Sequence, residues 1–253
     1  MIDLENCKEV FNEYVNNYDK ENFLIEKKIR HTYNVMNLSK EIANSLNLSE
    51  EEVKLATLIG LLHDIGRFEQ AKIAGTYVDT KQIDHAEIGI KILFDENKIR
   101  EFLPEDLEYD EIIKKAVYEH NKFKISEELN EKEKLFAGIV RDADKIDIYR
   151  MFTTDDMLKL GYASGYTNTE NFTEEVEEAF YKNEQLPKNK LQTMLDWLLN
   201  AIAFTYDINF QKSFLILKER NYINTILDKS ENIWTNKIKD LNKIRNHINE
   251  YIG

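Results

Sequence analysis

Apolar residues recur at three- and four-residue spacings along nearly the whole chain, the mark of amphipathic helices. His31, Val35, Leu38 and Ile42 share one face of the first clear element. Ser49 and Glu52 then form a capping box at the start of a helix of about four turns. That helix puts Ala56, Ile59 and His63 on one stripe, and Gly66 is expected to stop it. Residues 67–83 lack a clear period and contain Gly75, which predicts a loop with room for a short helical turn. Asp84 is placed to cap a helix carrying His85, Ile88, Gly89 and Ile92, and Pro104 breaks the chain. A helix from Asp110 aligns Ile113, Ala116, Val117 and His120. Another from Leu135 turns Phe136, Ile139, Val140, Ala143 and Asp144 inward. Further on, residues 174–182, 191–204, 210–219 and 222–251 read as helices.

Composition supports an all-α class. Eight glycines and two prolines in 253 residues are too few for the many turns of a β-protein. No Pro-, Gly- or Ser-rich linker interrupts the chain. The expectation is one helical domain, with residues 1–155 as its core and residues 156–253 as an appended C-terminal helical layer. The formal net charge of −13 repels polyanions and argues against duplex nucleic acid as a partner. Cys7 is the sole cysteine, so neither an intramolecular disulfide nor a cysteine metal cluster is available. No run of about 18 apolar residues is present to span a bilayer. The opening MIDLENCKEVFNEYV is acidic and amphipathic, unlike a signal peptide. A cytoplasmic protein with no membrane partner is expected.

The chemistry lies in where the histidines fall. Four of the five, His31, His63, His85 and His120, precede residue 150, and the stripes turn at least three of them toward the core with Asp64 and Asp144. A lone core histidine is ordinarily just hydrogen-bonded to a carbonyl. Six such groups on five helices, if scattered, would each cost about 1–3 kcal/mol when left unpaired. Divalent cations pair them together. Imidazole and carboxylate without thiolate suit Fe, Mn, Zn, Co or Ni. Six ligands are enough for two ions, with Asp64 or Asp144 available to bridge them.

The order His31, then His63-Asp64, then Asp144 within Arg141-Asp142-Ala143-Asp144-Lys145-Ile146-Asp147 resembles the HD-domain superfamily of metal-dependent phosphohydrolases. The resemblance covers roughly residues 20–150. It implies an all-α HD-type fold and a first metal held by His31, His63, Asp64 and Asp144. His85 and His120 resemble the extra ligands of the two-metal branch. It also implies a metal-bound hydroxide as nucleophile, in keeping with the lack of a convincing serine or cysteine, and a small phosphate ester such as a nucleotide as substrate. The chain departs from the family's subgroups. Ile65-Gly66-Arg67-Phe68 follows the His-Asp pair, where some mononuclear nucleotidases have a glutamate. That run is more like the cyclic-dinucleotide phosphodiesterases, but Tyr118-Glu119 precede His120 where those enzymes have paired histidines, and their Gly-Tyr-Pro signature is absent.

Asp142 and Asp144 lie about 200° apart around a helix, so one of them faces the ions. Asp144 continues the Val140 stripe, and Asp142 is expected to meet a cation at the rim. Arg67 and Lys145 are candidates to hold phosphate and assist catalysis, Arg67 by a bidentate fork and Lys145 as a point charge. The alternative for both is a rim salt bridge with Glu69, Asp142 or Asp147. Gln70, Thr76 and Asp79 are candidates to line the pocket, with a solvated connector as the competing reading. Tyr118 and Asn121 flank His120 and fit substrate contact or core packing equally. The Trp197, Leu198, Ile202, Phe204 stripe reads as core, the 174–178 acidic run as a solvated face, and His247 as a surface residue. Two other functions fit the ligand types: a di-iron oxygenase, and a non-catalytic helical module with a structural metal.

Overall fold

The computed structural model describes residues 1–105, 108–154, 165–167 and 171–253. Among these the chain is all-α, as expected, and its sole β pairing is one parallel bridge, Thr167 with Thr193. It divides into two compact units, Met1–Asp147 and Ile148–Gly253. The boundary expected near 155 lies at the edge of a stretch outside the described residues.

The first unit holds α1 (Leu4–Val15), α2 (Phe23–Asn44), α3 (Glu50–Leu62), α4 (Ile65–Ala74), α5 (His85–Ile90), α6 (Ile99–Phe102), α7 (Asp110–Glu119) and most of α8 (Glu131–Thr154). The capping box forms as read: Glu52 N donates to Ser49 Oγ, and Ser49 N donates back to the Glu52 carboxylate. Asp84 caps α5 by accepting from the amides of Ala86 and Glu87. The longest interface pairs α2 with α3. The next most extensive sets α4 on α5, and α5 in turn meets α7. Val35, Ile42, Leu58, Leu61, Ile65, Phe68, Ile113, Val117 and Val140 fill the space between these helices.

Three expectations need correction here. Gly66 does not stop a helix. The α3 helix ends at Leu62, the chain leaves helical geometry at Asp64 (φ −109°, ψ 19°), and α4 resumes at Ile65. Residues 67–74, expected to be loop, therefore belong to α4, which ends at Gly75 in the left-handed region (φ 63°). Gly66 serves close packing instead. A Cβ there would strike the His85 carbonyl oxygen and lie 2.5 Å from Gly89 N. The helix assigned to Leu135 onward starts earlier, at Glu131.

The second unit contains α9 (Glu174–Tyr181), α10 (Met194–Ile202), α11 (Gln211–Arg220), α12 (Tyr222–Ile233) and α13 (Ile238–Ile252). Asp196, fully buried, joins the starts of α9 and α10 by accepting from Thr173 N and Oγ1 and from Thr193 N. The single helix expected over 222–251 is two. Trp234 leaves helical geometry (φ −112°, ψ 67°) and is buried, so the chain breaks to bring the indole inward. His247 is not a bare surface residue: it packs on the rings of Phe180 and Tyr181, with Nε2 2.9 Å from Asn183 Oδ1.

Candidate metal centre

The break between α3 and α4 sets the site. His63 is the C-cap of α3, and Asp64 is the non-helical residue that follows. The last carbonyls of a helix lack intrahelical donors. His63 uses one of them, donating from Nδ1 to Gly60 O at 2.8 Å. The end of α7 repeats the device, with His120 as C-cap donating from Nδ1 to Val117 O at 2.6 Å. The other two imidazoles have carboxylate partners. His31 Nδ1 faces Asp147 Oδ2 at 2.7 Å, and His85 Nδ1 faces both oxygens of Asp79 at 2.8 Å. All four Nδ1 atoms thus face an acceptor, which turns all four Nε2 atoms inward. A hydrogen bond on one ring nitrogen sets which nitrogen is left to bind a metal.

The inward atoms form two groups around one carboxylate. His31 Nε2 and His63 Nε2 are 3.3 Å apart and lie 3.4 and 3.3 Å from Asp64 Oδ2. Asp144 Oδ1 joins them, 3.0 Å from His31 Nε2 and 3.9 Å from His63 Nε2. On the other side, His85 Nε2 and His120 Nε2 are 2.9 Å apart, at 3.3 and 3.5 Å from Asp64 Oδ1. Donors each about 2.0–2.2 Å from a shared ion stand about 3.0–3.5 Å from one another, and these separations largely fall in that range. Asp64 Oδ1 is buried and accepts no hydrogen bond. With a proton on each Nδ1, His85 and His120 bring two Nε2 lone pairs together with no hydrogen between them. A cation resolves both conflicts, so the residues fit a divalent metal.

The electrostatics agree. Burial lowers the His63 imidazole, and burial with the Arg67 guanidinium takes His85 down to about 3, so both are neutral as ligands must be. Burial and Lys28 would lower His31 too, but hydrogen bonds to Asp144, Asp147 and Asp64 raise it to about 10. An ion entering there displaces a proton. Despite the opposing effect of burial, Lys28 and His63 hold Asp64 far below the usual carboxylate range. His31 similarly depresses Asp144.

The structure thus brings together His31, His63, Asp64, His85, His120 and Asp144. Asp142 is not at the rim. It is fully buried, because α8 is covered on every side here, and Ile139, Val140, Arg141 and Ala143 are buried with it. Lys145 is also buried, directly after Asp144. Arg67 does not pair with Glu69. Its NH1 donates to Gln70 Oε1, to Tyr77 O and, at 3.3 Å, to Asp79 Oδ1, while its Nε stands 3.4 Å from Asp64 Oδ1. Gln70 is a buried α4 residue with both ends of its amide engaged, by Arg67 and by Asp79, so it braces the loop rather than lining an opening. Thr76 accepts from Val78 N within its own turn, and the residue its loop sends to the ligands is Asp79. Asn121 donates to Asp84 Oδ1 and is 3.4 Å from His85 Nδ1. Tyr118 is partly exposed beneath the Lys122 ammonium.

Sequence reading missed three supports. Lys28 donates to Asp64 Oδ2 at 2.6 Å. Asp147 appeared there merely as a rim acid. Arg141 is buried and donates from NH1 to Glu119 O and Lys122 O, holding the chain on either side of His120. The signal for the first two was spacing, since Lys28 is three residues before His31 and Asp147 three after Asp144.

Residues 29–149 match the family model described as HD domain. The match covers just under half of the chain, which thus carries an HD domain, a domain typical of metal-dependent phosphohydrolases. No curated protein and no solved structure matches the chain. Among the described residues, no helix is long and apolar enough to cross a membrane.

Proposed function

We propose that this protein hydrolyses a small phosphate ester, a nucleotide or a related monoester or diester, with two divalent transition-metal ions. The observation that carries the reading is the Asp64 carboxylate, whose two oxygens each meet a separate pair of imidazole nitrogens. His31, His63, Asp64 and Asp144 would hold one ion, and Asp64, His85 and His120 the other. Such a pair, when bound, supplies Lewis-acid activation of water and of the phosphoryl group.

The protein's own groups do the rest. Asp147 and Asp79 keep Nε2 of His31 and His85 directed inward, and the Gly60 and Val117 carbonyls do so for His63 and His120. Four of the six ligand side chains are histidines that are almost wholly buried. The side chains of Asp144 and Arg67 are more exposed, at 17% and 16%, and give solvent its contact with the centre. Arg67 anchors the 75–83 loop through Tyr77 O and Asp79, and Lys145 follows Asp144 on α8 as a second candidate cation. The net charge of −13 fits a small substrate better than a polyanion.

The test is metal content together with phosphate release. Protein loaded with Mn, Co or Ni should hold two ions per chain and free phosphate from some esters in a screen. Asp64→Ala should lose both ions and nearly all turnover while its circular dichroism stays helical. Full activity with unchanged metal content in that variant would defeat the proposal.

A further inference from the structure

Lys28 stands where a structural ion pair alone does not account for it. It lies on α2 one turn before His31, and its Nζ meets Asp64 Oδ2 at 2.6 Å, its side chain 11% exposed. The ring of Tyr77 lies below it, with Nζ 5.2 Å from the centroid. Tyr77 is fixed in turn, donating from its hydroxyl to Leu24 O at 2.6 Å while its own carbonyl accepts from Arg67. Each oxygen of Asp64 therefore has one cation: Lys28 at Oδ2 and the Arg67 Nε at Oδ1.

Charge makes this arrangement provisional. The carboxylates of Asp64, Asp79, Asp144 and Asp147 outnumber the Lys28 and Arg67 cations that face them. Oδ2 is also where His31 and His63 converge, so Lys28 and the first ion compete for one oxygen. Two cations in that space repel each other strongly. The lysine stem is long and flexible, and an aromatic face attracts an ammonium, so Tyr77 can hold the head.

The geometry points to Lys28 as the phosphate-holding residue of this site: on ion loading its Nζ leaves Asp64 and takes a non-bridging oxygen of the substrate's phosphoryl group. This rests on the hydrolase reading above. Arg67 is the more constrained of the two cations, with its NH1 committed to Gln70, Tyr77 O and Asp79. The competing account is that Lys28 is a permanent counter-ion for Asp64. That account expects removal of Lys28 to disturb the ions or the fold and to leave phosphate binding by the loaded protein unchanged.

The experiment loads wild type, Lys28→Met and Lys28→Arg with Mn2+, counts bound Mn by elemental analysis, and titrates inorganic phosphate by calorimetry. Lys28→Met should keep two Mn per chain, bind Mn more tightly, and bind phosphate about 10-fold or more weakly, the effect of one lost charge-assisted contact. Lys28→Arg should recover most of the phosphate affinity. Lys28→Gln, which retains a donor for Asp64, carries the same comparison if the Met variant does not fold. Equal phosphate affinity in loaded wild type and Lys28→Met would overturn the assignment, as would loss of Mn from that variant or wild type that binds no phosphate. Failure of the hydrolase reading looks different: phosphate binding that depends on Lys28, with no ester turned over.

Discussion

Replacing Gly66 with alanine probes how closely α4 must lie on α5 for the centre to form. The added methyl would strike the His85 carbonyl oxygen and stand 2.5 Å from Gly89 N and 3.1 Å from its Cα. These are backbone atoms, so no side chain can rotate away, and α5 must retreat by about 1 Å. Overpacking of this kind costs about 1–3 kcal/mol. Alanine's better helix propensity returns about 1 kcal/mol, leaving a net loss of up to about 2 kcal/mol. The functional cost is more specific. His85 opens α5, and its Nε2 now lies 3.3 Å from Asp64 Oδ1 and 2.9 Å from His120 Nε2. A further ångström takes it out of reach of an ion those two share. Gly66→Ala should therefore unfold at lower urea after chelation and, when reloaded, hold one ion instead of two. The control is on the facing helix. A methyl on Gly89 would stand 3.5 Å from its nearest neighbours, ordinary contact, so Gly89→Ala should keep both ions and be neutral or slightly more stable. Gly66→Ala with a wild-type urea midpoint and two bound ions would refute the close-packing argument.

Other outcomes follow from the same geometry. Asp147→Asn weakens the support of His31 alone and should lower affinity for one ion about 10- to 100-fold while the other binds as before, and Asp79→Asn should do the converse through His85, both read by calorimetric metal titration. Because the first ion displaces a proton from His31, held at about 10, its affinity should rise roughly tenfold per pH unit below that value, which competition against a chelator of known affinity would measure. In metal-free protein the His31 value is raised above that of the unfolded chain. Its contribution to stability is therefore complete below about pH 6.5 and lost as pH climbs through about 10, so melting of chelated protein should fall across that interval. Asp79 is shifted the opposite way: burial would raise it, but His85 and Arg67 hold it well below the usual range. Its stabilisation is present above about pH 4 and fades in acid, and Asp79→Asn should flatten the acid limb of the same melting profile.

Several of the candidate ligands were legible in the sequence because they stand on otherwise apolar stripes, where a polar side chain needs a partner. His31 with Val35, and His120 with Val117 and Ala116, are examples, and both stripes are buried. The capping box at Ser49 and the Asp84 cap were legible because they are local. Gly66 was misread because one letter serves both a helix end and a close approach, and the helix packed against it is distant in sequence until the chain folds. The α4 helix was missed with it: it begins without a side-chain cap, at Asp64, whose side chain is turned to the ligands instead. Asp142 was assigned to the rim because angular spacing says which way a side chain points, not whether the helix is covered on that side. The break at Trp234 has no glycine or proline to announce it and follows from burying one large ring.

That His63 and His120 both close a helix has one more consequence. The aligned peptide dipoles of α3 and α7 concentrate about half a negative charge at each of those ends. Both ends point into the same small volume. The backbone therefore attracts cations to this spot alongside the carboxylates, and variants stripped of a single ligand other than Asp64 should retain a weak, salt-sensitive affinity for divalent metals.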